Sequence, residues 1–233
     1  MWPNTEIEDT LLPLVEEINF DPLILAHLSW LEGESKTHNL TSVADDQWLE
    51  RHVLDSLAPL YAGWELGEPF LDLGTGAGFP GIPLAVQGEA NRFVFLESKG
   101  KVGRILEGFL NESGLSSKGE VLTGRAEELA HQTEYRGKYQ TVVVRAVGSL
   151  STLIEIGAPF LQDGGTLWCW KSDLVELQQA ERAMLELNTE FFRGVQYCLP
   201  SEEKTRYILA FVRRGEVDKK YPRRAGVPQK RPL

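Results

Sequence analysis

Short apolar runs alternate with longer amphipathic segments through most of this chain. The apolar runs lie at 69–73, 92–96, 119–122, 140–144 and 165–170, followed by a late pair at 191–199 and 204–213. Segments of helical periodicity separate the earlier runs, which predicts a parallel sheet with right-handed crossovers. The late pair is too closely spaced for a crossover helix and predicts an antiparallel hairpin. We therefore expect an α/β fold, a Rossmann-like doubly wound sheet with an antiparallel strand near its C-terminal end.

The first 65 residues have helical periodicity. Asp21 and Pro22 suit the N-cap and the first position of one helix, and a second amphipathic helix is expected from about Asp45 to Tyr61. The final 13 residues are rich in proline and are expected to be extended. We divide the chain into an N-terminal helical extension, a central cofactor-binding domain and a basic tail, at 1–65, 66–214 and 215–233.

The first apolar run leads directly into a turn rich in glycine. Gly74, Gly76 and Gly78 stand at alternate positions after a strand that contains Asp72. Glycine permits positive φ angles, and its missing β-carbon lets a ligand approach the backbone closely. This pattern favours a nucleotide cofactor site, and the alternative is a tight turn that binds nothing.

Two classes of cofactor fit the turn. Gly76, Gly78 and Gly81 match the dinucleotide pattern G-x-G-x-x-G, which alone is a weak signal. Asp72 favours S-adenosylmethionine, because its carboxylate can hold the ammonium group of that cofactor, directly or through water, and would repel a pyrophosphate. The expected antiparallel strand also favours a methyltransferase sheet. An NAD-dependent oxidoreductase stays as the alternative.

Acidic residues follow the next two strands. Glu97 ends the strand after the turn, about 20 residues on, where a carboxylate binds the ribose hydroxyls of either cofactor. Ala126 and Glu127 lie in the following turn, which in methyltransferases often passes the adenine ring. Equally, Glu127 can be one of the acids that favour a helix N-terminus.

Charge is distributed unevenly along the chain. The net charge is −10, but residues 204–233 hold ten Lys or Arg and only two acids, so this part carries +8 and the rest −18. The asymmetry predicts an acidic body with a basic surface for a polyanion such as RNA. A tail that only improves solubility is the alternative.

The composition argues against a membrane protein, a secreted protein and a metalloprotein. The 233 residues hold no apolar run long enough to span a membrane and no signal-like start, so we expect a soluble cytoplasmic protein. Cys169 and Cys198 fit neither a zinc nor a redox motif and are expected to be buried free thiols. The four histidines lack neighbours at metal-ligand spacing, which predicts no metal.

The residues after the run at 140–144 indicate what kind of atom could be methylated. Enzymes that methylate exocyclic amines usually carry Asn or Asp, two prolines and an aromatic residue there, whereas this chain has Arg145-Ala146-Val147-Gly148. Cys169 lies within a strand and has no adjacent proline, unlike the nucleophile of pyrimidine C5 enzymes. Guanine N7 needs neither device, because its lone pair carries no proton. The sequence is compatible with methylation at that atom.

Five motifs are distributed over nearly the whole chain. They are Asn39-Leu40-Thr41, Arg51-His52-Val53-Leu54-Asp55-Ser56, the stretch 71–82, Val144-Arg145-Ala146, and Tyr221-Pro222-Arg223-Arg224 with Gly226, Pro228 and Lys230. Together these motifs resemble the RsmG family, also called GidB, of bacterial small-subunit rRNA guanine-N7 methyltransferases.

The resemblance implies an S-adenosylmethionine-dependent enzyme that forms 7-methylguanosine in 16S ribosomal RNA. It implies that Gly74 and Phe79 contact the cofactor, that Ala126 and Glu127 form an adenine-side pair, and that Arg145 is a catalytic residue at the cofactor and acceptor sites. The family often has adjacent Lys and Arg after the second strand, where this chain has Lys101-Val102-Gly103-Arg104. This departure reduces the RNA contact expected from that helix.

Polar residues of the second helix and Arg145 suit an RNA interface. On the second helix, Arg51 and Asp55 are four residues apart, as are His52 and Ser56, which indicates either an ordinary i,i+4 pair or a polar patch beside the active site. Arg145 follows a buried strand at the sheet edge that binds ligands, where a guanidinium can hold a carboxylate, a phosphate or a guanine edge. The predicted RNA contacts are Arg51, His52, Arg213, Arg214, Lys219, Lys220, Arg223 and Arg224.

We expect the protein to be a monomer whose partner is 16S rRNA or the small ribosomal subunit. A non-catalytic RNA-binding factor that has kept a methyltransferase fold is the third interpretation, beside the methyltransferase and the oxidoreductase.

Overall fold

The computed structural model describes residues 7–13, 17–145 and 148–233. The described strands are β1 (Ile7–Asp9), β2 (Phe70–Leu73), β3 (Phe93–Glu97), β4 (Gly119–Thr123), β5 (Tyr139–Val144), β6 (Leu161–Lys171), β7 (Thr189–Cys198) and β8 (Thr205–Arg213). The described α-helices are α1 (Pro22–Ser35), α2 (Asp55–Tyr61), α3 (Gly81–Gln87), α4 (Gly100–Ser113), α5 (Ala126–Leu129), α6 (Leu150–Gly157), α7 (Val175–Gln179), α8 (Glu181–Glu186) and α9 (Val227–Lys230).

The strands form one sheet in the order β1-β7-β8-β6-β5-β2-β3-β4. Neighbours from β6 to β4 are parallel, while β8 is antiparallel to both β6 and β7. The predicted doubly wound sheet with an antiparallel hairpin is therefore confirmed. Because parallel strands align their carboxyl ends, the turn after β2, Glu97 and Arg145 lie along one edge of the sheet.

Apolar side chains cover both faces of this sheet. Along β2, Phe70 packs on the face covered by α3 and α4, whereas Leu71 and Leu73 pack on the face covered by α6 and α8. The period-two alternation of the strand places Asp72 on the same face as Phe70. A buried carboxylate therefore lies beneath the start of α3.

The N-terminal helices pack against the glycine turn. Ile24 and Leu31 of α1 join Val53 and Leu57 in a buried cluster that also holds Ala77 and Phe79 of the turn. The cap predicted for α1 is confirmed, because the Asp21 side chain accepts a hydrogen bond from the backbone N–H of Leu23. The N-terminal extension thus contributes one wall of the turn.

Three predictions for the terminal regions need correction. The sheet includes β1, a three-residue edge strand whose sequence has a single apolar residue, so backbone pairing with β7 rather than hydrophobic patterning forms it. The helix expected from Asp45 is a short 3₁₀ turn, a π-helical stretch at Leu49–Leu54 and then α2. The last residues are not wholly extended, because Pro228 suits the first turn of α9. The three-part division of the chain stays a prediction.

Candidate cofactor and acceptor site

The glycine turn between β2 and α3 leaves open space above two of its glycines. Gly74 and Gly76 have φ angles of +73° and +58°, and a β-carbon added to either would meet no atom within 4 Å. A β-carbon at Gly78 would instead lie 2.5 Å from Ile82, and one at Gly81 would lie 2.6 Å from the Asp72 carboxylate. Gly74 and Gly76 therefore form a cradle that a ligand can fill, while Gly78 and Gly81 permit close packing.

Asp72 lies beneath this cradle. Its carboxylate is fully buried, and Oδ2 accepts a hydrogen bond from the backbone N–H of Gly81 at 2.9 Å. Burial raises the pKa of Asp72 to about 7, which the hydrogen bond from Gly81 partly offsets. The side chain thereby joins β2 to the start of α3, and its contact with a cofactor ammonium, directly or through water, stays a prediction. Its oxygen Oδ1 has no partner among the described residues.

Glu97 lies beside the cradle at the end of β3. Its two carboxylate oxygens accept backbone N–H groups from Gly76, at 3.1 Å, and from Lys99, at 2.7 Å. Oε1 also accepts from the Ser98 hydroxyl at 3.3 Å, whereas Oε2 keeps a lone pair that can accept a hydroxyl hydrogen from a ribose. The acid is thereby fixed against the turn at the position predicted for a ribose acceptor.

Phe79 forms the aromatic wall of the turn. Its ring lies 4.7 Å from the ring of His27 in α1 and 4.5 Å from that of His52 in the π-helical stretch, measured between centroids. The guanidinium carbon of Arg145 lies 5.6 Å from the centroid of the same ring. Phe79 therefore connects the predicted cofactor turn, of which it is part, with the N-terminal helices and with Arg145.

The predicted adenine-side pair lies at the N-terminus of α5, after β4. Ala126 begins the helix, and Glu127 is half-buried with its Oε1 accepting the backbone N–H of Gly226 at 3.0 Å. Glu127 therefore lies in the first turn of α5, where an acid favours the helix N-terminus, and it also contacts the tail. Sequence analysis did not predict this link between the tail and the adenine side.

Arg145 is the centre of a buried polar network. Its Nη1 donates to Asp55 Oδ2 at 2.9 Å and approaches the carbonyl oxygens of Arg51 and His52 at 3.2 and 3.4 Å. Asp55 also accepts from the hydroxyl of Tyr197 at 2.8 Å. A carboxylate is one of the three partners that the sequence allows for this guanidinium, and Asp55 supplies it. Ala146 and Val147 of the same motif lie outside the described residues.

The i,i+4 pair considered for Arg51 and Asp55 does not form. Arg51 instead bonds to Glu202 at 2.6 Å, and Arg206 bridges Glu202 and Asp55. The π-helical stretch widens the turn at this point, which changes the spacing on which the i,i+4 argument rests. The polar patch is therefore built across the fold, between the N-terminal helices and β8.

His52 is held within this patch. Its Nε2 lies 2.7 Å from Thr41 Oγ1, and its Nδ1 lies 3.3 Å from Arg145 Nη2. Burial, together with the charge of Arg145, lowers the pKa of His52 to about 3, so the ring is neutral at physiological pH. His52 consequently contributes hydrogen bonds and ring contacts rather than positive charge.

A cavity of about 200 Å³ opens beside Arg145. Arg145, Lys171, Lys204 and Arg206 line it, with Asp55 as the acidic residue among its lining. Lys171 pairs with Glu176, Arg206 with Glu202 and Arg145 with Asp55. Lys204 is therefore the lining cation that no acid neutralises among the described residues, and it suits an anionic group. Lys171 and Arg206 were not predicted for this site, because they come from β6 and β8 and only the sheet order brings them to Arg145.

The predicted basic surface of the tail divides into two sets. Arg223 makes a bidentate ion pair with the buried Glu155, and the Nη1 of Arg213 donates to the carbonyl oxygen of Leu161. These two arginines are tied into the fold, which weakens the prediction that they contact RNA. The exposed set comprises Arg214, Lys219, Lys220 and Arg224.

No group of three or more His, Cys, Asp or Glu side chains suited to a metal occurs within 7–13, 17–145 and 148–233. Within the same ranges no helix is long and apolar enough to cross a membrane. Both cysteines are free and Cys169 is buried, as the sequence predicts, but the prediction of a buried thiol is wrong for Cys198, which is exposed at the end of the β7 strand.

Comparison with known proteins gives a consistent result. The family model GidB, described as rRNA small subunit methyltransferase G, matches residues 22–199. Proteins named ribosomal RNA small subunit methyltransferase G from Oenococcus oeni and Lactococcus lactis are 34% and 35% identical to this chain. The alignments cover 91% and 84% of this chain, and 88% and 83% of those proteins.

Among solved structures, the O-methyltransferase from Bacillus cereus in complex with SAH is similar to this chain. The match covers 84% of this chain and 93% of the chain of that enzyme. The TM-score is 0.57 at 19% identity. At that identity the likeness concerns the fold alone, and it confirms the predicted fold class.

Proposed function

Because the chain belongs to the GidB family of rRNA small subunit methyltransferases, we propose that it methylates N7 of a guanine in 16S ribosomal RNA with S-adenosylmethionine as the methyl donor. The observation that carries this proposal is the open cradle of Gly74 and Gly76, which lies on the same sheet edge as Glu97 and the cavity beside Arg145. This shared edge supports a donor site next to an acceptor site.

The cofactor site that we propose uses residues whose geometry fits the group. Gly74 and Gly76 leave room above the backbone, Glu97 can accept the ribose hydroxyls, and Phe79 supplies an apolar wall. Ala126 and Glu127 flank the adenine side. Asp72 acts indirectly, by fixing the turn to α3. When bound, S-adenosylmethionine supplies an activated methyl group on a positively charged sulfur.

The acceptor atom places few chemical demands on the protein. Guanine N7 has a lone pair and no proton, so the chain needs no general base and acts by orientation and exclusion of water. Arg145 is at the strand end where a guanidinium can contact a guanine edge or a neighbouring phosphate. We assign the basic cavity to the RNA backbone, and we propose a monomeric enzyme that acts in the cytoplasm.

Labelled methyl transfer tests the proposal directly. Purified protein, S-adenosylmethionine with a labelled methyl group and small-subunit RNA should give label in RNA that maps to 7-methylguanosine. Binding of S-adenosylmethionine without transfer to RNA or to the subunit would favour a non-catalytic RNA-binding factor. Equilibrium dialysis that shows binding of NAD and not of S-adenosylmethionine would favour an oxidoreductase.

Arg145 offers a test within the site. Arg145→Ala should lower the rate of methyl transfer tenfold or more, about 1.4 kcal/mol, and Arg145→Lys should restore it only in part because a planar contact is lost. Since Arg145 also pairs with Asp55, unfolding of each variant must be measured in parallel. Arg92→Ala, an exposed arginine at the opposite edge of the sheet, is the control. Full activity of Arg145→Lys would contradict a planar contact.

A further inference from the structure

His27 is a fully buried imidazole that contacts the glycine turn from α1. Its Nε2 lies 2.7 Å from the carbonyl oxygen of Ala77, the residue between Gly76 and Gly78. A β-carbon at Gly78 would lie 3.2 Å from the same nitrogen, so α1 approaches the turn closely. The contact joins residues 50 positions apart in the sequence.

The hydrogen bond fixes the protonation of this ring. A carbonyl oxygen only accepts, so Nε2 must carry the hydrogen and donate. Burial lowers the pKa of His27 to about 4, an effect that the bond to Ala77 partly offsets, and the neutral form therefore persists at physiological pH. In this tautomer Nδ1 is a bare acceptor, and it has no partner among the described residues.

Packing alone does not account for an imidazole at this position. The ring lies among Trp30, Phe79 and Phe109, with centroid distances of 5.6, 4.7 and 5.0 Å. A phenylalanine would make similar ring contacts and would bury no unpaired nitrogen, which is costly. What the imidazole adds is the Nε2–H donor aimed at the turn.

We propose that His27 is a positioning residue for the cofactor, which holds the Ala77 carbonyl and thereby keeps the cradle of Gly74 and Gly76 in its binding shape. This inference rests on the proposed function, because it assigns the cradle to S-adenosylmethionine. The N-terminal helix then contributes to cofactor affinity without contacting the cofactor. His27 makes no contribution to the methyl-transfer step itself.

A matched pair of substitutions isolates the donor. Gln and Met have similar length and flexibility, but only the Gln amide can replace the Nε2–H donor. We expect His27→Gln to bind S-adenosylmethionine within threefold of wild type, and His27→Met to bind it tenfold or more weakly, measured by isothermal titration calorimetry. His27→Phe, which keeps a ring, should be as weak as His27→Met. Trp30→Phe, which changes the packing beside the ring, is the control and should bind within threefold of wild type.

Two further readouts separate positioning from stability. The unfolding temperature of His27→Phe without ligand should stay close to that of wild type, because losing the bond to Ala77 and losing the unpaired Nδ1 have opposite effects on stability. At saturating S-adenosylmethionine, kcat and the KM for RNA should stay within threefold of wild type in His27→Met, while the KM for the cofactor rises.

The possible failures are distinguishable. If wild-type protein does not bind S-adenosylmethionine, the proposed function fails. If wild type binds and His27→Met binds equally well, only the role of His27 is overturned. If Gln, Met and Phe variants all lose affinity equally while remaining folded, the imidazole acts by something other than its donor and the inference is again overturned. Should His27→Phe not fold, the Gln and Met pair still decides the question.

Discussion

The N-terminal helix α1 packs on the glycine turn and the basic tail packs on α5 and α6, and the two regions are held by different interactions. Around α1 the contacts with the turn are aromatic rings and one hydrogen bond from a neutral imidazole. The tail is held instead to α6 and α5, by the ion pair of Arg223 with Glu155 and by the hydrogen bond from the backbone N–H of Gly226 to Glu127. One region depends on a group staying uncharged, and the other on charges staying paired.

This difference explains why the net positive charge of the tail overstates the charge that is free to bind a polyanion. The tail is basic in sequence, but Arg223 neutralises a carboxylate with 0% exposure on α6, and Lys220 pairs with Glu186 at 3.4 Å. Arg136 from the body adds hydrogen bonds to the carbonyl oxygens of Val217 and Tyr221. Part of the positive charge therefore holds the tail on the acidic body instead of facing a polyanion.

The largest effect is expected from the cradle that α1 supports. Gly76→Val should weaken S-adenosylmethionine binding a thousandfold or more, about 4 kcal/mol, because a β-branched side chain would fill the cradle and disfavours φ of +58°. Gly114→Val, at φ +79° and with equally open surroundings at the end of α4, imposes comparable backbone strain away from the site. Calorimetric titration should find cofactor binding intact in the second variant. An affinity within threefold of wild type in a folded Gly76→Val protein would overturn the assignment of this turn.

The next effect concerns the anchor of the tail. Arg223→Ala leaves Glu155 buried without its ion pair and should lower the free energy of unfolding by about 3 kcal/mol. Arg224→Ala, the exposed neighbour, should change it by less than about 0.5 kcal/mol. Urea titration of both variants measures the two free energies of unfolding. Equal stability of the two would show that the ion pair does not anchor the tail.

The comparison also shows what the sequence could reveal. Strand periodicity predicted the sheet from β2 to β8, and the alternating glycines predicted the turn, because both are local patterns. The cap of α1 by Asp21 was predicted for the same reason. Each of these features depends on residues only a few positions apart.

Features that depend on contacts distant in sequence were not predicted. His27 was an isolated histidine in an apolar helix until folding placed its Nε2 against Ala77. Arg206 and Lys171 join Arg145 only through the order of β5, β6 and β8. The role of Glu155 as the partner of Arg223 spans 68 residues and has no local signature. Such pairings require the topology as well as the pattern.

Acid should affect the support from α1 selectively. The folded protein keeps His27 neutral down to a pKa of about 4, whereas the unfolded chain binds a proton near 6.5. Below pH 6.5 protonation therefore favours the unfolded chain, and the stability contributed by the neutral ring is lost as pH falls toward 4. Relative to His27→Phe, wild type should lose about 2 kcal/mol of unfolding free energy between pH 7 and pH 5.

Urea titrations of both proteins at each pH measure this difference. His52 and Asp72 also titrate in this range, but both are present in the two proteins, so their contributions largely cancel. Between pH 7 and pH 8 the difference between the proteins should stay constant. A difference that is also constant from pH 7 to pH 5 would contradict a buried neutral His27.

The smallest effect is expected from the exposed basic residues of the tail. Neutralising Arg214, Lys219, Lys220 and Arg224 together should leave the fold intact, because none of them pairs with a buried acid among the described residues. If these side chains contact RNA, each lost phosphate contact should reduce the slope of log affinity against log salt by roughly 0.7 to 0.9. Filter binding of ribosomal RNA across a salt series measures the slope, and calorimetry should find S-adenosylmethionine affinity unchanged. An unaltered slope would assign the tail to stability and solubility alone and would move the RNA surface to Arg51, His52 and the cavity beside Arg145.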